Sequence, residues 1–135
     1  MVLTTKRLFD EWVEELKYGS YLKGTRYLKQ KDHNGLIYHD ALGVLVEVYS
    51  KYFPIEWAEF KSPIDKVQFY AIKGQPCVGY YLPDSIVRFM RFKTKYATIS
   101  QPLFNCNTIA GLNDVGYPFT AIAALLEYYG IEYLQ

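Results

Sequence analysis

The sequence has few of the residues that metal and thiol sites require. Its 135 residues include two cysteines, Cys77 and Cys106, which lack a CxxC spacing, and two histidines, His33 and His39. Zinc sites usually combine three or four cysteine, histidine or carboxylate ligands, often at short spacings, and no such cluster can be recognised. We therefore expect free thiols, no metal and no cofactor.

The familiar enzyme motifs are also missing. The chain contains no G-x-x-x-x-G-K-[ST], G-x-G-x-x-G, H-E-x-x-H or G-x-S-x-G sequence, so neither a phosphate-binding loop nor a nucleophile elbow is predicted. Two histidines are too few for paired-histidine phosphodiesterase chemistry. These absences disfavour an enzyme. A catalytic pair of carboxylates brought together by the fold cannot be recognised from the sequence.

Long apolar runs and a strong charge of one sign are absent as well. No run approaches the roughly 20 apolar residues of a membrane span, and residues 1–10 hold no apolar signal core. The formal net charge of +1 gives no field that would imply general nucleic-acid binding. We expect a cytoplasmic protein that binds neither membranes nor bulk nucleic acid.

Aromatic residues, in contrast, are abundant. They make up 18% of the chain and include 14 tyrosines and 8 phenylalanines. A buried phenol needs a hydrogen-bond partner, so a core alone does not call for this many tyrosines. Such a surplus is typical of protein interfaces and of sites for flat-ring ligands. The alternative explanation is that an AT-rich genome encodes many tyrosines that have no functional role.

Hydrophobic periodicity predicts one α+β domain over residues 1–135, with about four helices packed on a small, mainly antiparallel sheet. No linker or internal repeat interrupts it. The predicted helices cover residues 5–17, 40–52, 82–91 and 118–129. The predicted strands cover residues 25–30, 36–38, 67–72, 77–81, 97–99 and 131–134.

Two polar segments stand where helices are predicted to begin. At His39 and Asp40, a phosphate could rest on the free amides of the central helix, or Asp40 could simply be its N-cap. Asn113 and Asp114, followed by Tyr117, precede the last helix. They could bind a ribose or a base edge, or they could shape the turn.

A basic and aromatic strand completes the candidate ligand site. Arg26, Lys29 and Lys31 could hold phosphates, and Tyr27 or Tyr117 could stack on a base. A hairpin edge protected by its charges is the alternative interpretation.

Several short motifs occur in order along the chain. They are W-V-E-E-L-K-Y-G-S-Y at residues 12–21, K-G at 23–24 with Leu28, L-G-V-L at 42–45, L-P-D-S-I-V at 82–87, and L-N-D-V-G-Y-P-F at 112–119 continuing to L-E at 126–127. Together they resemble a family of small proteins common in bacteriophage and prophage genomes. Relatives often have cysteines where this chain has Asp40, Ala41 and Val46, so a thiol-based metal or redox role cannot carry over. The serine expected before Phe119 is Pro118.

The resemblance implies a setting and not an activity. Phage accessory proteins often counter host defence in the host cytoplasm. Our first hypothesis is therefore a homo-oligomer that sequesters a nucleotide immune signal, of the cyclic ADP-ribose or cyclic oligonucleotide type, without cleaving it. The alternatives are an inhibitor of a host defence or replication protein, with Trp57 and Tyr80 as anchors, and a small nucleotide hydrolase.

Overall fold

Four of the helices form where the apolar stripes predict them. The computed structural model describes residues 2–74, 79–103 and 105–135. The α-helices in these ranges are α1 (Thr5–Tyr18), α2 (Ala41–Ser50), α3 (Asp84–Met90), α4 (Ile109–Asp114) and α5 (Phe119–Tyr129), and a 3₁₀ helix follows at Ile131–Leu134.

Seven strands in the described residues form two sheets. They are β1 (Leu22–Lys23), β2 (Lys29–Lys31), β3 (Ile37–His39), β4 (Trp57–Lys61), β5 (Gln68–Ile72), β6 (Thr98–Leu103) and β7 (Cys106–Thr108). The larger sheet has the order β1-β3-β2-β5-β4, in which only the β1–β3 pair is parallel. Strands β6 and β7 form a separate antiparallel pair. The predicted α+β class and mainly antiparallel pairing are confirmed.

The core lies among α1, α2 and α5. The stripe of α1 that the periodicity predicts is buried, and α2 has eight buried residues. The backbone of α2 lies close to Leu28, because a Cβ placed on Gly43 would stand 1.7 Å from the Leu28 carbonyl oxygen. Glycine at this position therefore allows α2 to pack against the chain that enters β2.

Some predicted elements are wrong in extent or type. The strand expected at 25–30 begins only at Lys29, because Arg26 adopts a left-handed φ of 75° and the Leu28 N–H donates to Gly79. The C-terminal strand expected at 131–134 is a 3₁₀ helix, in which the Tyr133 N–H donates to Gly130. Of the strand expected at 77–81, residues 79–81 are not extended strand. Residues 77 and 78, including Cys77, lie outside the described residues, whereas Cys106 is a free thiol.

Within the described ranges, no helix combines the length and the apolar character that crossing a membrane would require.

Candidate functional site

An open cleft of about 890 Å³ lies at one end of the five-stranded sheet. Its walls come from residues 23–25, from the β2–β3 hairpin and from the β4–β5 hairpin. Ligand-binding pockets commonly have volumes of about 300–1,000 Å³, so the cleft has room for a nucleotide.

Lysines give the cleft its charge. Four of them line it, together with two aspartates, Asp32 and Asp65. Two of these lysines are engaged within the protein, since Lys23 Nζ donates to the Asn113 carbonyl at 2.8 Å and Lys31 Nζ lies 3.0 Å from Glu59. The other two are Lys61 and Lys66, which are exposed and form no ion pair in the part of the chain that the structure describes.

The two carboxylates of the cleft hold its loops in shape. Asp32 Oδ1 accepts the N–H groups of Asn34 and Leu36, both at 2.9 Å, and Asp65 Oδ1 accepts the Val67 N–H at 3.1 Å. Burial tends to raise the pKa of Asp32, but these hydrogen bonds lower it below its ordinary value. The Val67 hydrogen bond likewise lowers the pKa of Asp65. Both groups therefore stay ionised at neutral pH and brace the two hairpins.

Tyr38 supplies the aromatic surface of the cleft. The side chain is half-buried, and its hydroxyl donates to Asp32 Oδ2 at 3.2 Å. Asp32 therefore fixes the ring as well as the turn.

None of the eight residues predicted to bind the ligand lines this cleft. They fall into other environments, and most of them are engaged within the protein. The eight are Arg26, Tyr27, Lys29, His39, Asp40, Asn113, Asp114 and Tyr117.

The prediction that Asn113 and Asp114 stand at a helix entrance is wrong. They are the last residues of α4, and Asn113 is fully buried. Its Oδ1 accepts the Ala41 N–H at 3.1 Å, and its Nδ2 donates to the Gly24 carbonyl at 3.0 Å. Asp114 is exposed and accepts the Arg26 N–H at 2.8 Å. These hydrogen bonds support the structural interpretation of the segment.

Asp40 is the N-cap of α2. Its Oδ1 accepts the Gly43 N–H at 2.7 Å, and the residue is 1% exposed. Burial raises the pKa of this carboxyl to about 8, and the charge of Asp114 adds to that effect. The entrance of α2 is therefore filled by groups of the protein itself, which supports the capping interpretation over a phosphate site.

The aromatic and basic side chains of Tyr27 and Arg26 are also engaged within the protein. Tyr27 is 2% exposed, and its ring stacks on Phe69 at a centroid distance of 4.6 Å, so it has no face for a base. The Arg26 guanidinium lies 5.5 Å from the ring centroids of Tyr27 and Tyr80 and 3.3 Å from Asp65. Through Asp65, Arg26 borders the cleft without lining it. Tyr117 is partly buried against the hydrophobic core.

His39 and Lys29 both contact the carboxylate of Glu47. His39 Nε2 lies 2.9 Å from Glu47 Oε2, Lys29 Nζ lies 3.4 Å from the same oxygen, and the indole N–H of Trp57 donates to Oε1 at 3.0 Å. Burial tends to raise the pKa of Glu47, but the hydrogen bonds from His39 and Trp57 and the charge of Lys29 lower it to about 2. His39 is 4% exposed, and its Nδ1 has no hydrogen-bond partner among the described residues.

The histidine–carboxylate pair lies away from the floor of the cleft. Alternate residues of a strand face opposite sides of the sheet, so Lys29 and His39 face away from Gln30 and Tyr38, and neither His39 nor Glu47 is among the residues that line the cleft. Because His39 is buried, it offers no imidazole to a molecule in the cleft.

Of the residues that line the cleft, only Lys31 was among the basic groups that the sequence suggested for phosphates. Lys61 ends a strand that the periodicity did not identify, and Lys66 lies in the following turn. The local signal for this wall is the S-P-I-D-K segment at 62–66, whose proline and aspartate favour a turn.

The chain matches a family model described as a domain of unknown function (DUF8296) over residues 4–130. It therefore belongs to that family. No curated protein and no solved structure shows significant similarity to it.

Proposed function

We propose that this member of the DUF8296 family binds a phosphate-bearing nucleotide signal in the cleft between the two hairpins and sequesters it unchanged. The observation that carries the proposal is the exposed pair Lys61 and Lys66, whose charges are not engaged within the described protein, on a cleft of nucleotide size.

The phosphates would contact the lysines. Hydrogen bonds between an ammonium group and phosphate oxygens are charge-assisted and are roughly twice as strong as neutral ones. Lys66 lies in the turn before β5, and Lys61 ends β4 on the same wall. Asp32, on the opposite hairpin, would repel a phosphate, whereas Asp65 precedes Lys66 in the same turn and its charge is paired with Arg26 Nη1 at 3.3 Å.

The base would stack on Tyr38. Its ring is held by the hydrogen bond to Asp32, so little side-chain freedom is lost on binding. Stacking of a base on an aromatic side chain contributes about 1–3 kcal/mol. A base on Tyr38 and phosphates at the lysines would together span the cleft.

Binding without cleavage is consistent with the chemistry of the lining. The carboxylates that line the cleft accept backbone N–H groups, and neither member of the His39–Glu47 pair lines the cleft. His33 contributes an exposed imidazole to the lining; its charge helps to lower the pKa of the neighbouring Asp32, and it forms no ion pair within hydrogen-bond distance among the described residues. We therefore assign no catalytic residue.

The biological role follows from the phage-protein resemblance of the sequence motifs. A protein of that origin would sequester a host immune signal, of the cyclic ADP-ribose or cyclic oligonucleotide type, in the host cytoplasm.

Exposed tyrosines favour a second candidate function, inhibition of a host protein. Tyr18 is 75% exposed and Tyr128 is 82% exposed, so both could serve as anchors on a partner surface. The anchors that the sequence suggested, Trp57 and Tyr80, are half-buried instead, and Trp57 donates its indole N–H to Glu47.

Calorimetry with a panel of cyclic dinucleotides and cyclic ADP-ribose isomers separates these functions. We expect at least one compound to bind, and heating the complex to release it unaltered, as mass spectrometry would show. A cleaved product would indicate a hydrolase. No binding across the panel would favour the protein-partner function.

A further inference from the structure

Strand β4 leaves one edge of the five-stranded sheet open. It is the last strand in the order β1-β3-β2-β5-β4 and has five residues, whereas β1 at the other edge has two. An edge strand presents unpaired N–H and C=O groups, which are a template for pairing with another chain.

The hydrogen bonds to β5 identify which groups of β4 are open. The Ser62 N–H donates to Val67 at one end of the ladder, and the Lys73 N–H donates to Glu56 at the other. The register between them is continuous, and bonded positions alternate in an antiparallel pair. The even-numbered residues of β4 therefore bond to β5, and the N–H and C=O groups of Trp57, Glu59 and Lys61 point to the open edge.

We propose that two copies of this chain form a symmetric dimer by antiparallel pairing of their β4 edges, centred on Phe60. This register places Glu59 opposite Lys61 of the second copy, and the symmetry repeats that pair. Both residues have their backbone groups on the open edge, so each Glu59–Lys61 pair can form its two backbone hydrogen bonds; the next pair, Trp57 with Pro63, lacks one of them because proline has no N–H. Opposite charges that face each other across an antiparallel pair are stabilising.

The neighbouring symmetric registers are less favourable. Centring on Glu59 would place two carboxylates opposite each other, which is destabilising. Centring on Ala58 would pair Glu59 with Trp57 and leave Lys61 without an opposite charge. The sequence of β4 thus selects one register for self-pairing.

Aromatic rings on one face of the sheet support the same register. Tyr27 stacks on Phe69, and Phe69 stacks on Phe60 at a centroid distance of 5.8 Å, so this row of rings ends at the open edge. Phe60 is 36% exposed there. Pairing centred on Phe60 would bring the two Phe60 rings together, cover their exposed surface and join the rows of the two copies.

Dimerisation does not require a nucleotide, but in the dimer Lys61 would pair with Glu59 of the second copy, which leaves Lys66 as the phosphate contact that both proposals allow. Lys61 also lines the cleft, so Lys66 is the residue to change when the cleft is tested, and charge changes at 59 and 61 are evaluated by oligomeric state.

Charge reversal tests the register. In analytical ultracentrifugation, the wild-type chain should be a dimer, whereas Glu59→Lys and Lys61→Glu should each weaken dimerisation at least about tenfold, because each creates two like-charge pairs. An equimolar mixture of the two variants should form heterodimers, and the double variant E59K/K61E should again form homodimers.

Lys31→Ala is the matched control, since it removes the ion pair of Glu59 within the chain without changing the β4 edge. It should remain dimeric, and thermal melts should show that every variant is folded. A wild-type chain that is monomeric at about 100 µM would overturn the proposal. So would single variants that dimerise as well as the wild type, or a mixture of single variants that stays monomeric.

Discussion

Asn113 joins three segments that are far apart in the sequence. Its side chain connects the end of α4 to the first N–H of α2 and to the carbonyl of Gly24, which lines the cleft. The residue is fully buried, so if its side chain were removed, water could not replace the hydrogen bonds that its partners would lose. Asn113 therefore determines how the cleft wall is positioned, although it does not reach the cleft.

Replacing Asn113 tests that role. Asn113→Ala leaves the Ala41 N–H and the Gly24 carbonyl without partners, and each unsatisfied buried group costs about 1–3 kcal/mol. We expect the free energy of unfolding to fall by about 2–4 kcal/mol in urea denaturation. Thr120→Ala, at an exposed position of α5, should change it by less than about 0.5 kcal/mol. An unchanged stability in Asn113→Ala would instead favour the original ligand-binding interpretation.

The Asp40 carboxyl makes stability depend on pH. Its pKa is about 8 in the folded chain and 3.8 in its ordinary state. Between these values the folded state holds a proton that the unfolded state has lost, so the contribution of Asp40 to stability falls as pH rises from about 4 to about 8. Above a pH of about 8, Asp40 is ionised in both states and its contribution to stability falls no further.

Asp40→Asn should remove this dependence while keeping an oxygen that caps α2. Compared with the wild type, we expect the melting temperature of the variant to rise, and to rise more at pH 8 than at pH 5. Because the other titrating groups are common to both proteins, their effects cancel in the comparison. An equal difference at the two pH values would show that Asp40 is ionised in the folded protein.

At the scale of the elements, the helices were the most predictable part. The stripe of α1 repeats over 14 residues, and Thr4 caps it by accepting the Arg7 N–H. Asp40 caps α2, and Gly130 ends α5 with a φ of 78°. These three helices carry their apolar patterns and boundaries within their own sequences, which is why their predicted bounds came within a few residues.

The elements that were missed have boundaries set by their neighbours. Strand β4 has no strict apolar alternation, because Trp57 and Ala58 are adjacent apolar residues, and its position depends on pairing with β5. Helix α4 has six residues, too few for a periodic pattern, and it begins where Thr108 accepts the Gly111 N–H. The 131–134 segment alternates like a strand but follows Gly130 into a 3₁₀ turn.

The cleft could not be predicted for the same reason. Its walls belong to two hairpins that are adjacent only because β2 pairs with β5. Lys31 and Lys66 are 35 positions apart, and neither stands in a local motif. The sequence suggested basic and aromatic side chains for a nucleotide site, but most of the residues that it selected are engaged within the fold.

At the scale of the whole molecule, the distribution of charge matters more than its sum. The net charge is +1, yet four lysines and two aspartates line one cleft. The aspartates are held by backbone N–H groups, and two of the lysines are engaged within the protein. Among the described residues, the lysines of the cleft that form no ion pair within the chain are therefore Lys61 and Lys66 of the β4–β5 hairpin.

Calorimetry on Lys66→Gln tests the central claim most directly, using whichever compound of the nucleotide panel binds the wild type. A charged hydrogen bond contributes about 1.5–3 kcal/mol, so we predict that affinity falls roughly ten- to hundredfold while the melting temperature stays unchanged. Lys6→Gln, at a lysine of α1 whose side chain is 70% exposed and away from the cleft, should bind like the wild type. Equal affinities of Lys66→Gln and the wild type, or no binding of any panel compound to the wild type, would contradict nucleotide binding in this cleft.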